Sequence, residues 1–274
     1  MERLSLFRIL FLGLASVLVI YIMLPLLGII SRIGTLDFTS ILSFQTTTAM
    51  LLSLETATAS TAICIVFGLP LAYLIARSKS KAAQLLRVAT AIPLAIPPLI
   101  SGALLVNIYG ESSPLGMIAE HAGFRLTQST IGIVLAQVYV ISPFVVLTAS
   151  AGIEKVDINY EYTSRILGRG AAMTFLTVTI PLAAKEIVAG ISLAWIRAIG
   201  EFGANVMVAY NPKTISIQLW EYNALGGLNL VMPGVLIVLI FSFASLAFWF
   251  WIMNLRRRTN ISLISPTEQY HDHN

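Results

Sequence analysis

The strongest constraint on this chain is hydropathic: six stretches are long enough, or nearly so, to cross a bilayer as helices. A spanning helix needs about 20 apolar residues, because it rises ~1.5 Å per residue across ~30 Å of hydrocarbon. The spans predicted in this way are Ile9–Ile30, Thr56–Ala76, Val88–Ile108, Ser129–Gly152, a run starting near Pro181 that is interrupted by Arg197 and Glu201, and Val231–Ile252. Only 11% of the 274 residues are charged, against about 25% in a soluble domain, so lipid must be the solvent for most of the chain. The first run follows Arg3 and Arg8 in the manner of a signal sequence but shows no small-residue cleavage site, and it reads as a retained helix. The fold class expected is all-α and polytopic, one transmembrane domain over 1–258 and a mobile polar tail over 259–274.

Basic residues set the orientation. Arg3, Arg8, Arg77, Lys79, Lys81, Arg87, Lys155, Arg165, Arg169, Lys185 and Arg256, Arg257 and Arg258 make thirteen on one side, against Arg32, Arg125 and Lys213, three on the other. The thirteen mark the cytoplasmic face, which places both termini there. The same clustering explains the net charge of +4 without nucleic acid. Cys64 stands alone in an apolar run, so it reads as a packing residue, with no disulfide or metal cluster.

Three segments break the apolar pattern. The loop 153–181 carries a polar island, Glu161–Pro181, on the cytoplasmic side. Within it Ile158, Tyr162 and Ile166 form an apolar face of a short helix, and Glu161, Arg165 and Arg169 a charged one. Gly168 and Gly170 permit a sharp helix–turn–helix reversal, Ala171–Thr179 allows a second short helix, and Pro181 suits the first turn of the next span. In the third span, Pro93, Pro97 and Pro98 predict a bent or partly unwound helix, either a packing irregularity or a bend lining a pathway. In the fifth, Arg197 and Glu201 share a helix face beside Gly200 and Gly203. A charge at bilayer depth costs at least ~2.5 kcal/mol, so the pair either fixes a kink or forms a charged hinge at an outer gate. A polar, Thr/Ser-rich connection with Arg32 and Asp37 is read over Ser31–Glu55, with Glu55 at the outer end of the second span, and polar loops are read over Tyr109–Gln128 and Asn211–Asn229.

The island resembles the EAA motif of permease subunits in binding-protein-dependent ABC importers. Gly168, Val178, Ile180 and Pro181 fall at that motif's Gly, Ile, Leu and Pro positions, while Tyr162, Thr163 and Ser164 replace its Glu-Ala-Ala triplet and Glu161 stands one position early. FGLPLAYLIAR, Phe67 to Arg77, is similar to the corresponding helix ending in such permeases. WIRAIGEFGANVMVAYNPKT, from Trp195, resembles the oxyanion permeases for molybdate, tungstate and sulfate, and SIQLWEYNALGGLNLVMP leans toward the molybdate/tungstate branch. Over Leu51–Ile252 the resemblance implies a type I importer permease fold with cytoplasmic coupling helices. It implies a homodimer in a prokaryotic plasma membrane, two separate ATPase subunits and an extracytoplasmic oxyanion-binding protein. Glu161, Tyr162, Arg165, Gly168, Arg169, Gly170 and Pro181 become the coupling candidates. Pro97, Pro98, Arg197, Gly200, Glu201 and Gly203 become the gate candidates.

No enzyme activity is expected of the chain itself. It has no Walker A sequence, so the ATP belongs to the partner, and neither a bound cofactor nor a metal is expected. His121, His271 and His273 all lie outside the spans, which argues against an intramembrane hydrolase. A sulfate or thiosulfate importer is the alternative within the class. A channel lacks a use for the docking element, and a secondary transporter would show internal repeats.

Overall fold

The computed structural model describes residues 2–36, 38 and 44–262. Among these the regular structure is helical: α1 (Glu2–Ile30), a 3₁₀ turn (Ile33–Thr35), α2 (Phe44–Arg77), α3 (Lys81–Ala95), α4 (Pro98–Tyr109), α5 (Pro114–His121), α6 (Thr130–Lys155), α7 (Ile158–Ile166), α8 (Ala171–Thr174), a π-helical turn (Phe175–Thr179), α9 (Ile180–Leu182), α10 (Ala184–Ile199), α11 (Gly203–Val208), α12 (Ile215–Gly226) and α13 (Leu228–Ser262). Four helices are long and apolar enough to cross a membrane, and six spans result if each of two bent pairs counts as one. The contacts fall into two units, Met1–Ser43 with Leu219–Ile240, and Phe44–Gln218 with Phe241–Asn274. In the first unit, α1 is apolar all round and exposed along its span, as suits a helix surrounded by lipid.

The second unit is built around α6, which packs against α2, α3, α4, α10 and α11. Its core joins Cys64, Leu69, Ala72 and Ile75 of α2, Ile141, Val145, Ala149 and Ile153 of α6, and Ile187, Ala194 and Ala198 of α10. Small residues let these helices approach closely, as in membrane bundles generally. At Gly190 a Cβ would stand 2.8 Å from the Phe144 carbonyl oxygen, so α10 lies directly on α6 there.

The proline-rich span bends as its sequence predicts. α3 and α4 meet at 112° across Ile96 and Pro97. Ile96 is extended (φ −96°, ψ 129°) because the following proline excludes the helical region, and Pro98 then starts α4, where no N–H is needed. Pro93 remains inside α3, and Pro143 inside α6.

Other boundaries differ from the sequence reading. Residues 44–55, the last part of the polar connection read over Ser31–Glu55, form the first turns of α2, which starts at Phe44, so Glu55 sits within the helix and not at its end. Its serine and threonine hydroxyls are satisfied by bonding back to the helix, Ser53 Oγ to the Ala49 carbonyl (3.0 Å) and Thr58 Oγ1 to that of Leu54 (2.7 Å). The loop read over Tyr109–Gln128 contains α5, capped by Ser113 Oγ, which accepts from Gly116 N at 2.9 Å, with Pro114 behind it. The loop read over Asn211–Asn229 contains α12. The fifth long helix begins at Ala184, not at Pro181, which lies in the one-turn α9 before an 81° bend. α13 stays helical through Ser262, within the stretch read as a tail. Residues 263–274, with His271 and His273, lie outside the described residues, as does Asp37.

Candidate functional site

Two groups of candidate residues lie at opposite ends of α10, whose 16 residues span about 24 Å. At its start is the island. Asp157 caps α7, its Oδ1 accepting from Asn159 N at 2.9 Å. The helix ends in a left-handed turn at Gly168 (φ +89°), with Gly168 N donating to the Arg165 carbonyl at 3.0 Å and Arg169 N to that of Ser164 at 3.2 Å. Glycine is the residue that enters this conformation without a Cβ penalty. Gly170, by contrast, has an ordinary negative φ and serves as the α8 N-cap. The hydroxyls of Ser164 and Thr174 (3.1 Å) tie α7 to α8, and Arg169 Nη1 donates to Thr177 Oγ1 at 2.8 Å.

On α7 Glu161 departs from the charged face on which periodicity groups it with Arg165 and Arg169, and is only 1% exposed. On the apolar face Tyr162 and Ile166 are exposed, Ile166 by 85%, and Tyr160, Leu167, Met173 and Leu176 are exposed with them. The burial of Glu161 has an electrostatic reason. The Glu161 carboxylate accepts from Arg77 Nε (2.9 Å) and Nη2 (2.7 Å), from the Tyr73 hydroxyl (2.9 Å) and from Thr179 Oγ1 (2.9 Å). Arg77 Nη2 also donates to the Val156 carbonyl at 3.0 Å. Burial pushes the Glu161 carboxyl upward, but the hydrogen bonds from Arg77, Tyr73 and Thr179 and the Arg77 charge outweigh it and hold it below the usual carboxylate range. Arg165 and Arg169 do point outward, and Arg165 Nη2 reaches the Tyr73 hydroxyl at 3.3 Å.

Tyr73 and Arg77 were not candidates from sequence, although their four-residue spacing at the end of an apolar helix puts both on one face. The same end of α6 carries two further cross-helix ion pairs, Glu154 with Arg87 of α3, and Lys155 with Glu186 of α10 (2.8 Å).

At the far end of α10, the helix stops at Ile199, Gly200 is its C-cap, and α11 starts at Gly203. Arg197 Nη1 lies 2.5 Å from Glu201 Oε2, with the Arg197 side chain 34% exposed and Glu201 fully buried. Glu201 Oε1 accepts from Ala204 N at 2.8 Å, so the same carboxylate also caps α11. The proline bend meets this break. A Cβ on Gly203 would stand 2.9 Å from both Leu99 N and Pro98 Cβ, so Pro98 and Gly203 are in direct contact while Pro97 supplies the turn before α4. Next to the break, buried Gln137 joins three helices: Ser60 Oγ donates to its Oε1 (3.1 Å), and its Nε2 donates to Thr56 Oγ1 (3.2 Å) and to the Ala198 carbonyl (3.1 Å). The lone glutamine of the fourth apolar run was the available signal for this junction.

Chemically, neither cluster holds a nucleophile with a base. Among the described residues no three His, Cys, Asp or Glu side chains could hold a metal ion. What the geometry offers is an exposed apolar and aromatic surface at one end and a charged, proline-braced break at the other.

A multi-pass helical membrane protein is the class that this fold defines. The chain belongs to the family of inner membrane components of binding-protein-dependent transport systems, whose model matches residues 65–260. It is 37% identical over 226 residues to a probable molybdenum ABC transporter permease protein of Haloferax volcanii, covering 82% of each chain. It is 35% identical to the molybdate/tungstate transport system permease protein WtpB of Pyrococcus furiosus, covering 75% of this chain and 77% of that one. Its fold is shared with a chain of the bacterial alginate ABC transporter solved with an alginate pentasaccharide-bound periplasmic protein (TM-score 0.69, 16% identity, 94% and 96% of the two chains). It is also shared with a chain of the inward-facing MetNI methionine ABC transporter (TM-score 0.63, 14% identity, 77% and 95%).

Proposed function

We propose that this transport component is the membrane-spanning subunit of an ATP-driven importer for a tetrahedral oxyanion, molybdate or tungstate. The observation that carries the reading is the exposed apolar and aromatic surface of α7 and α8, Tyr160, Tyr162, Ile166, Leu167 and Met173, on a segment otherwise pinned to the helical body by a buried carboxylate. Such a surface suits a protein partner, and its place on the more basic side of the membrane makes that partner cytoplasmic. The partner is a separate ATPase, two copies per complex, on which Tyr162, Arg165, Arg169 and their neighbours dock. Both termini lie on the same side.

Two copies of the chain form the pathway, since oligomers of one chain are most often two-fold symmetric. A solute-binding protein delivers the anion to the opposite face. The names of the relatives support molybdate or tungstate, and the Arg197-to-Gly203 segment is the part of the chain that favours an oxyanion. With Arg197 neutralised by Glu201, the break passes an anion without trapping it. Gly200, Gly203, Pro97 and Pro98 give this gate its hinge.

Deleting the gene and measuring uptake of molybdate, tungstate and sulfate at submicromolar supply tests the reading. Loss of molybdate or tungstate uptake with sulfate uptake intact is expected. Selective loss of sulfate uptake would move the chain to the sulfate branch, and unaltered uptake of all three would contradict the oxyanion assignment.

A further inference from the structure

The docking element has two possible mechanical outlets into the spanning helices. One is covalent, through the chain from α8 to α10. That route passes a π-helical turn at Phe175–Thr179, the one-turn α9 and an 81° bend before Ala184. It is a jointed path, poorly suited to carry a push. The other outlet is the buried carboxylate. Glu161 receives four hydrogen bonds, three of them from Tyr73 and Arg77 in the last turns of α2 and one from Thr179. Arg77 in turn grips the Val156 carbonyl just ahead of α7, and the Tyr73 ring meets Phe175 edge-on with centroids 5.1 Å apart. Both sides of the island are thereby fastened to one helix end.

That helix is a 34-residue rod without a break at Pro70. At its other end, Ser53 Oγ accepts from Ile215 N at 2.9 Å, in the segment that follows α11. Residues 53 and 77 are about 36 Å apart along such a helix. Between them Trp195 Nε1 donates to Thr58 Oγ1 (3.2 Å) and Gln137 bonds Thr56 and Ser60, so α2 also touches the end of α10 beside Gly200.

We infer that Glu161 is a positioning residue that latches the docking element to Tyr73 and Arg77, making α2 the rod that carries movement of the element toward the Arg197–Glu201 break. The inference rests on the proposed importer function, and it gives Glu161 a role distinct from the exposed docking residues: it faces away from the partner. Arginine suits this, because Nε and Nη2 of Arg77 both donate to the one oxygen Oε1 of Glu161 while Nη2 also holds the Val156 carbonyl, so one rigid planar group fixes the carboxylate and the chain ahead of α7 together. Lysine at position 77 would keep the charge and lose this planar set of donors.

The test uses the full complex in proteoliposomes, with the binding protein and molybdate, and the variants Glu161→Gln and Arg77→Lys. Two quantities are read: ATPase retained on purification, and molybdate moved per ATP hydrolysed. Both variants are expected to retain the ATPase, since the exposed face of α7 is intact, while molybdate moved per ATP falls five-fold or more. An unchanged ratio in both variants overturns the latch. Loss of the ATPase from both variants also overturns it, because the carboxylate would then merely hold up the docking surface. An unaltered chain that retains no ATPase overturns the importer reading and the latch with it. A measurement without variants covers the case of misfolding. When a non-hydrolysable ATP analogue is added to the unaltered complex, amide exchange in α7 and in Tyr73–Arg77 should change together. A change in α7 alone overturns the latch.

Discussion

Among the described residues, Glu161 and Glu201 are the acidic side chains that are fully or almost fully buried, and each is held by an arginine and a capping or hydroxyl donor. At Glu201 the consequence is a stability prediction. Removing one partner of a fully buried ion pair costs ~3–5 kcal/mol, and with Arg197 one-third exposed a smaller cost, ~2–3 kcal/mol, is expected for Arg197→Met. Glu201→Gln in the same chain should recover most of the loss, since the amide oxygen still caps Ala204. Thermal unfolding in detergent checks this; a double variant less stable than Arg197→Met would contradict the pair. Gln137→Leu is expected to cost less, ~1 kcal/mol. Thr56 and Ser60 already bond to their own helix (2.8 and 3.1 Å), and interhelical hydrogen bonds in membrane bundles average only ~0.6 kcal/mol. At Glu161 the folded protein holds the carboxyl below its ordinary range. The stabilisation is therefore present in full above the ordinary glutamate value of ~4.3 and is lost as pH falls through the lower folded value. Exchange protection of α7 should persist at pH 5 and weaken only below about 4. Glu161→Gln should abolish that pH dependence.

At the scale of elements, the turn between α7 and α8 is the sensitive point. Gly168 has φ +89°, and a Cβ added there would meet nothing within 4 Å, so crowding plays no part and backbone conformation alone decides. A β-branched residue in the left-handed region costs ~1–2 kcal/mol, and Gly168→Val is expected to reshape the turn and lose the ATPase while membrane insertion survives. Gly168→Asn should be milder, because asparagine visits that region more readily. Co-purification measures both; an unaffected Gly168→Val complex would contradict the role of the turn. The spacing from Gly168 to Pro181 made this turn legible in the sequence, and the Pro97–Pro98 pair did the same for the bend before α4. The burial of Glu161 was not legible. Periodicity groups it with Arg165 and Arg169 on the charged face, and only Arg77, 84 positions away in the chain, draws it inward. α5 and α12 escaped for a different reason: their flanks are rich in Gly, Asn, Ser and Pro, which score as loop, while the capping by Ser113 and the burial of Ile215 and Ile217 are settled locally and by packing.

For the whole molecule, the apolar runs made a many-span helical protein legible, and the thirteen-to-three asymmetry of basic residues is the basis for proposing a side for each loop. Which helix lies at the centre of the second unit was not readable, because α2, α6 and α10 are all apolar and a membrane helix buried in protein looks like one facing lipid. α6 takes the centre through its small and β-branched stripe and through Gln137, which has partners on two sides. In the proposed importer this unit, with the island at one end and the charged break at the other, converts ATP hydrolysis by a separate subunit into passage of an oxyanion. Reconstitution of the chain with its ATPase in proteoliposomes, supplied with molybdate-loaded binding protein, tests this conversion. Molybdate accumulation that requires both ATP and the binding protein is expected. Accumulation that proceeds equally without ATP would contradict an ATP-driven importer.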